Sequence, residues 1–232
     1  MSLTFIVFDC DGTLVDSQHA ITTAMVESFE TLGHVPPARQ DIMSVVGISL
    51  VPAIARLMPD HEPHVHDAMA ESYKSVYGRM RASGQTQEIL FDGAHDAVTR
   101  LSGTDALLGV ATGKSRRGAE NILKEHGLRH HFLSVRTADD GPGKPDPHML
   151  KLAMADVGAD PHETIMIGDT TYDMEMARAA GAGAIGVSWG YHPVDVLHAS
   201  GAHEVIDDFA SLDGAVARVR ARLGAGLSAL QD

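Results

Sequence analysis

Two pairs of aspartates each follow a short apolar run of the chain. Asp9 and Asp11 stand in the segment DCDGT, and Asp169 and Asp173 stand in the segment GDTTYD. Carboxylates this close repel one another and are costly to bury unless a cation compensates them. Mg²⁺ accepts a few carboxylates together with water and phosphate oxygens. A single aspartate in such a place more often caps a helix or a turn, but the repetition of the pattern predicts a Mg²⁺ site.

Two further segments contain groups that bind phosphate in other proteins. Thr112 and Gly113 follow an apolar run and precede a helical pattern, so a hydroxyl and main-chain N–H groups would face one rim. Lys144 is the one cation of the segment GPGKPDP, whose prolines stiffen the loop and can aim the side chain inward. Each residue also has an ordinary interpretation, because such a threonine often caps a helix and a loop lysine is usually solvated.

The apolar runs before these residues predict buried strands. Their apolar residues are consecutive instead of alternating, as in parallel strands covered on both faces. Helical patterns lie between the runs, and this alternation predicts an α/β fold with a Rossmann-like open parallel sheet. The predicted strands are 3–8, 106–112, 132–137, 164–168 and 184–187. The predicted helices of this part are 115–127, 147–158, 172–181 and 209–223.

Residues 15–90 do not fit the alternation of strand and helix. They show helical patterns and no convincing strand. The patterns cover 20–32, 39–45, 50–58 and 62–83. An all-helical insertion after the first strand explains them. We therefore expect a core domain formed by 1–14 and 91–232, a helical cap domain formed by 15–90, and a site at their junction.

The composition argues against several classes of protein. The 232 residues include 18 basic and 31 acidic side chains, a net charge of −13, whereas nucleic-acid and anionic membrane surfaces need a basic face. No apolar stretch approaches the ~20 residues of a membrane span, and the N-terminal segment lacks the basic region of a signal peptide. The single cysteine cannot form an internal disulfide. We expect a cytoplasmic protein with no nucleic-acid or membrane partner, and the oligomeric state stays open.

The order of these motifs resembles the haloacid dehalogenase-like phosphohydrolases, specifically the subgroup with a helical cap after the first strand, which includes the phosphoglycolate phosphatases. The resemblance covers essentially the whole chain. It depends on DCDGT with Asp16 after it, on Thr112, on the Lys-Pro pair at Lys144 and on GDTTYD, in the family's order. It implies a phosphatase that forms an aspartyl-phosphate on Asp9, with Asp11 as general acid and then general base.

The resemblance also implies which residues hold the metal and the phosphate. The residues that would hold Mg²⁺ are Asp9, Asp11 through its main-chain carbonyl, Asp169, and Asp173 through water or by orienting the others. The residues that would hold the phosphoryl oxygens are Thr112, the Gly113 amide and Lys144. Relatives often have asparagine where this chain has Gly113, so a main-chain donor alone is expected there.

The cap would determine substrate specificity. The expected substrate is a small phosphorylated metabolite, with phosphoglycolate as the first candidate. The segment between the second and third helical patterns resembles the cap segment that approaches the site in this family. It makes Gly47, Ile48 and Ser49 the candidate specificity residues. Arg56 and Lys74 could meet a second anionic group, but an ordinary surface position is the simpler interpretation.

Two alternatives to a phosphatase stay open. A phosphosugar mutase of the same family would use all of these residues and return the phosphoryl group to a sugar instead of giving it to water. A non-catalytic phosphate-binding protein is the third possibility. It would have no use for a second acid at Asp11, which argues against it.

Some residues that invite a chemical interpretation favour a structural one. Cys10 lies between two candidate catalytic residues but would point away from them on a strand, as a small core residue. We expect His61, His64 and His66 on the surface, since their spacing matches no zinc site.

Overall fold

The computed structural model describes residues 3–228 of the chain. The strands in this range are β1 (Thr4–Phe8), β2 (Val15–Asp16), β3 (Ile89–Leu90), β4 (Ala106–Ala111), β5 (Ser134–Arg136), β6 (Thr164–Gly168), β7 (Gly183–Val187) and β8 (Glu204–Ile206). The α-helices are α1 (Gln18–Thr31), α2 (Arg39–Ser44), α3 (Leu50–Leu57), α4 (Pro63–Ala82), α5 (Ala94–Ser102), α6 (Arg116–Glu125), α7 (His148–Val157), α8 (Thr171–Ala180), α9 (Val194–Ala199) and α10 (Leu212–Ser228).

Six of the strands form one parallel sheet with the order β5-β4-β1-β6-β7-β8. β1 lies in the middle, where Phe8 pairs with Val110 of β4 and with Ile167 of β6. The chain builds outward from β1 on one side and then on the other, which is the strand order of a Rossmann-like sheet. Ligands of such sheets bind beyond the carboxyl ends of the strands where the direction reverses, here between β1 and β6. The predicted α/β fold is confirmed.

The central strand is buried on both faces of the sheet. Ile6 and Phe8 pack on one face with α5, α6 and α10, whereas Phe5 and Val7 pack on the other face with α7 and α8. All four side chains are fully buried. This double burial explains why the apolar residues of β1 are consecutive, and it fixes the position of the residues that follow the strand.

Helices α1 to α4, which we call the helical lobe, surround an apolar cluster of their own. Ile42, Ile54 and Met69 are fully buried members of this cluster. The chain leaves and re-enters the sheet part of the molecule through the antiparallel pair β2–β3, in which Val15 faces Leu90. The four predicted helices are present, but no strand was predicted here, because strands of two residues are too short to show an alternation.

Three elements of the core were not predicted. β8 is a three-residue strand at the edge of the sheet, and two of its residues are only half-buried, which leaves a weak apolar pattern. α9 has six residues and a single buried one, Leu197. α5 does carry a signal, since Ala94, Ala97, Val98 and Leu101 are buried with helical spacing.

Candidate active site

Three carboxylates converge at the carboxyl ends of the central strands. Asp9 directly follows β1, Asp169 directly follows β6, and Asp173 lies in the first turn of α8. One carboxylate oxygen of each lies within 4.8 Å of the others, and all three side chains are buried. The two aspartate pairs of the sequence therefore meet at the point where the strand order reverses.

Lys144 lies between these carboxylates. Its Nζ is 2.8 Å from Asp9 Oδ1 and 2.7 Å from Asp173 Oδ1, and its side chain is completely buried. Burial by itself lowers the pKa of the ammonium, but Asp173 and Asp9 outweigh this effect and hold the pKa above its ordinary value. Lys144 is therefore charged and offsets part of the negative charge of the cluster.

The remaining negative charge fits a divalent cation. Burial raises the pKa of Asp9 to about 7, although Lys144 opposes the shift. Burial also raises the pKa of Asp169, and Asp173 adds to that effect. Among the described residues, Asp9 Oδ2 has no hydrogen-bond partner. The site thus has three buried carboxylates, one ammonium and one carboxylate oxygen without a hydrogen-bond partner among the described residues. Because all the candidate metal ligands are oxygen atoms, the site suits a hard cation such as Mg²⁺ or Ca²⁺.

Asp169 and Asp173 are oriented by donors from neighbouring loops. The Thr13 hydroxyl donates to Asp169 Oδ1 at 3.0 Å, and the Tyr191 N–H donates to Asp169 Oδ2 at 2.9 Å. Asp173 Oδ2 accepts from the N–H and the hydroxyl of Thr170 at 3.1 and 2.6 Å, which forms a capping box at the start of α8. Both aspartates are thus fixed by contacts within the protein, as metal-binding carboxylates usually are.

Asp11 belongs to a second group of charged side chains. Lys114 Nζ lies 2.8 Å from Asp11 Oδ1 and 2.8 Å from Glu88 Oε1. The Ser17 hydroxyl donates to the same oxygen of Asp11. Asp11 is not one of the three clustered carboxylates, so its side chain is available for another task, such as proton transfer beside the cluster.

Thr112 and Gly113 follow β4, the strand next to β1. Thr112 is completely buried, and its N–H donates to the carbonyl of Arg136 at 3.0 Å. Its hydroxyl oxygen accepts from the N–H of Lys114 at 3.3 Å. The short β4–α6 connection therefore brings Thr112, Gly113 and Lys114 to the edge of the sheet where the carboxylates lie.

A loop of the helical lobe, between α2 and α3, lies directly against the core at this edge. A Cβ placed on Gly113 would be 2.6 Å from the carbonyl oxygen of Gly47 and 3.0 Å from that of Ile48. A Cβ on Gly143 would collide with the Ser49 hydroxyl. The predicted specificity segment thus contacts the core at Gly113 and Gly143, and its main chain leaves no room for a side chain at position 113.

A family model described as haloacid dehalogenase-like hydrolase matches residues 6–187 of the chain. The chain belongs to the haloacid dehalogenase-like hydrolases. It is 35% identical over 213 residues to the probable phosphatase IndB of Dickeya dadantii, covering 90% of this chain and 92% of the relative. It is 32% identical over 197 residues to a phosphoglycolate phosphatase of Chromobacterium violaceum, covering 84% and 89%. The prediction of a phosphatase of this family is confirmed at this level.

The fold of this haloacid dehalogenase-like hydrolase also matches solved structures. The crystal structure of a hydrolase from Pseudomonas syringae superposes with a TM-score of 0.83 at 27% identity, covering 93% of this chain and 99% of the other. Within residues 3–228, every helix is too short or too polar to cross a membrane.

Sequence reasoning missed Lys114, which pairs with Asp11, and Glu88, which pairs with Lys114. Lys114 carried a usable signal, because it follows Thr112 and Gly113 in the connection that was predicted to line the phosphate. Glu88 carried none, since it precedes a two-residue strand and meets Lys114 only after the helical lobe has packed. The roles of the predicted site residues remain predictions, although the structure places them close together.

Other residues singled out from the sequence do not belong to the carboxylate cluster. Lys74 pairs with Glu71 on the surface, as expected. The guanidinium of Arg56 lies 5.0 Å from the centre of the Tyr172 ring and donates to its hydroxyl. Cys10 is buried, as predicted. The expectation for His66 was wrong, because it is buried in α4 with Nε2 2.9 Å from the carbonyl of Met58.

Proposed function

We propose that this protein is a Mg²⁺-dependent phosphatase that hydrolyses a small phosphate monoester through an aspartyl-phosphate intermediate on Asp9. The observation that carries the proposal is the buried Asp9, which is paired with Lys144 through one oxygen and free at the other, beside Asp169 and Asp173. Phosphoryl transfer requires a nucleophile beside cations that neutralise the phosphoryl charge, and Lys144 with a bound Mg²⁺ would supply them.

In the first half-reaction, Asp9 attacks the phosphorus atom. A bond forms between a carboxylate oxygen and phosphorus while the bond from phosphorus to the ester oxygen breaks. Asp11 gives a proton to the departing oxygen, so an alcohol leaves. Lys144 stabilises the negative charge that spreads over the phosphoryl oxygens.

In the second half-reaction, Asp11 removes a proton from water. The water oxygen attacks the phosphorus of the aspartyl-phosphate, the bond to Asp9 breaks, and inorganic phosphate leaves with the carboxylate restored. The same residue thus acts first as an acid and then as a base, so it returns to its starting protonation state after each turnover.

The groups that surround the phosphoryl group complete the proposal. Asp9, Asp169 and the main-chain carbonyl of Asp11 would hold Mg²⁺, and Asp173 would orient them. The bound cation would neutralise the phosphoryl charge and hold its oxygens in place. Thr112, the Gly113 amide and Lys144 would bind the same oxygens.

The division into two lobes is part of the proposal. Residues 1–14 and 91–232 would form the catalytic core and 15–90 the cap, whose closure would exclude water and bring Gly47, Ile48 and Ser49 over the substrate. The contact of this loop with Gly113 supports the assignment.

The first candidate substrate is 2-phosphoglycolate, supported by the similarity to the phosphoglycolate phosphatase of Chromobacterium violaceum. The net charge of −13 supports a small-molecule substrate instead of a nucleic acid. A cytoplasmic location is also proposed.

The test is phosphate release with Mg²⁺ from a panel of 2-phosphoglycolate, sugar phosphates, nucleotides and pyrophosphate, with Asp9→Asn as the blank. One ester hydrolysed far faster than the rest would identify the substrate class. Weak and even hydrolysis would support the chemistry alone. No release above the blank would contradict the proposal, and isomerised sugar phosphate without free phosphate would indicate a mutase.

A further inference from the structure

A continuous chain of polar contacts connects the helical lobe to Asp11. On α4, the Tyr77 hydroxyl donates to Glu88 Oε1 at 2.7 Å, and the Arg81 guanidinium donates to Glu88 Oε2 at 3.2 Å. Glu88 in turn pairs with Lys114 at 2.8 Å, and Lys114 pairs with Asp11 at 2.8 Å. Both carboxylate oxygens of Glu88 therefore have partners. The contacts run from Tyr77 and Arg81 through Glu88 and Lys114 to Asp11.

The last three members of this series of contacts are buried where the helical lobe meets the core. The exposed fractions of the Glu88, Lys114 and Asp11 side chains are 3%, 11% and 11%. Buried ion pairs contribute little net stability, because the loss of hydration offsets their attraction. A buried lysine between two carboxylates is therefore poorly explained by stability, whereas an ammonium that fixes the orientation of a reactive carboxylate has a use at this place.

We propose that Lys114 is the positioning residue of Asp11, and that Glu88 anchors Lys114 to the helical lobe. Lys114 and Ser17 both donate to Oδ1 of Asp11. They fix the carboxyl group through this oxygen, so that its other oxygen serves the proton transfer. The inference rests on the proposed function, in which Asp11 protonates the leaving group.

The loss of rate caused by a misplaced general acid depends on the leaving group. An alkyl phosphate releases a strongly basic alkoxide, which needs a proton as the bond to phosphorus breaks. The ester p-nitrophenyl phosphate releases a stable phenolate, which needs none. The value of kcat/KM reports the steps up to this bond cleavage, so its dependence on the leaving group measures the position of the acid and not the overall integrity of the fold.

The experiment compares Lys114→Met, Lys114→Arg and Glu88→Gln with wild type on three esters. The esters are p-nitrophenyl phosphate, glycerol 2-phosphate and 2-phosphoglycolate. The matched control is Lys124→Met on α6, whose ammonium is exposed and paired only with Glu120 in the part of the chain described. All four variants are also checked by thermal unfolding.

We expect Lys114→Met to lower kcat/KM at least about tenfold on both alkyl phosphates and less than about twofold on p-nitrophenyl phosphate, since acid catalysis contributes about 10²–10⁴-fold. Lys114→Arg should recover most of the loss, because it keeps a cation at this place. Glu88→Gln should show the same selectivity for alkyl esters with a smaller loss. Lys124→Met should behave as wild type. If Lys114→Met does not fold, Glu88→Gln carries the same comparison.

Several results would overturn the positioning role. An equal loss on all three esters would assign Lys114 a structural role. A loss confined to 2-phosphoglycolate and expressed in KM would make Lys114 a binding residue for the substrate carboxylate. Wild-type values of kcat/KM for Lys114→Met on all three esters would show that Lys114 has no role in the reaction. Each of these results leaves the proposed function intact, whereas wild-type protein that releases no phosphate above the Asp9→Asn blank from these esters or from any ester of the panel given above contradicts the proposed function itself.

Discussion

The contact between the lobe loop and Gly113 predicts that a single methyl group will impair turnover. In Gly113→Ala, the new Cβ would be 2.6 Å from the Gly47 carbonyl oxygen, closer than the 3.4–4 Å of an ordinary contact. The main chain at Gly113 does not have a positive φ, so the backbone can accept alanine without strain. The cost therefore comes from the contact between the two lobes alone.

The size of the effect follows from the cost of overpacking. Forcing an extra methyl group into a filled space costs about 1–3 kcal/mol, which corresponds to about a 5-fold to 150-fold loss when expressed as an equilibrium or a rate. Separation of the lobes relieves the collision without unfolding either one. We therefore expect the loss in kcat/KM, with little change in the melting temperature.

The assay measures initial rates and thermal unfolding of Gly113→Ala beside a matched control, Gly118→Ala. Gly118 lies in α6, where the nearest atom to a new Cβ would be the Ser115 hydroxyl oxygen at 3.4 Å. Alanine should stabilise this helix by about 0.5–1 kcal/mol and leave the rate unchanged. Wild-type kinetics for Gly113→Ala would refute the reasoning, because they would show that the loop is not this close to Gly113 during turnover.

Further outcomes are expected at the carboxylates. Gly12→Ala should abolish activity and weaken Mg²⁺ binding, because Gly12 has a φ of +81° and its Cβ would collide with the Asp169 carboxylate. Gly84→Ala, with a φ of +70° and open space around it, should lose only about 1–2 kcal/mol of stability and keep full activity; equal behaviour of the two variants would contradict the crowding argument. Burial raises the pKa of Asp9 from 3.8 to about 7, so this group favours the metal-free fold below about pH 4 and loses that contribution as the pH rises to about 7. Mg²⁺ should therefore raise the melting temperature more at about pH 7.5 than at about pH 5, and an equal rise at both values would contradict the assignment.

Local patterns were sufficient to predict the sheet and the acidic cluster. The consecutive apolar residues of β1 and β6 predict strands buried on both faces, and parallel strands bring the residues after them, Asp9 and Asp169, to one edge. The capping position of Asp173 is also local, because it contacts Thr170 three residues before it.

Contacts between distant segments could not be predicted in the same way. Glu88 and Lys114 form an ion pair where the helical lobe meets the core, and no local pattern in the sequence predicts this contact. The fit of Gly113 to the main chain of Gly47 is likewise a matter of tertiary structure. His66 differs, since it is followed by the buried Met69 and Ala70 at helical spacing, and this pattern could have placed it on the inner face of α4.

The central claim is that Asp9 carries the phosphoryl group. It is tested by trapping the intermediate in Asp11→Asn, which keeps the nucleophile but lacks the base that removes a proton from water. The variant is mixed with p-nitrophenyl phosphate and Mg²⁺, quenched, and reduced with borohydride, which converts an aspartyl-phosphate to homoserine. Peptide mass spectrometry should find homoserine at position 9, and none in the Asp9→Asn, Asp11→Asn double variant. Homoserine at another aspartate, or phosphate release without homoserine at any position, would contradict the account.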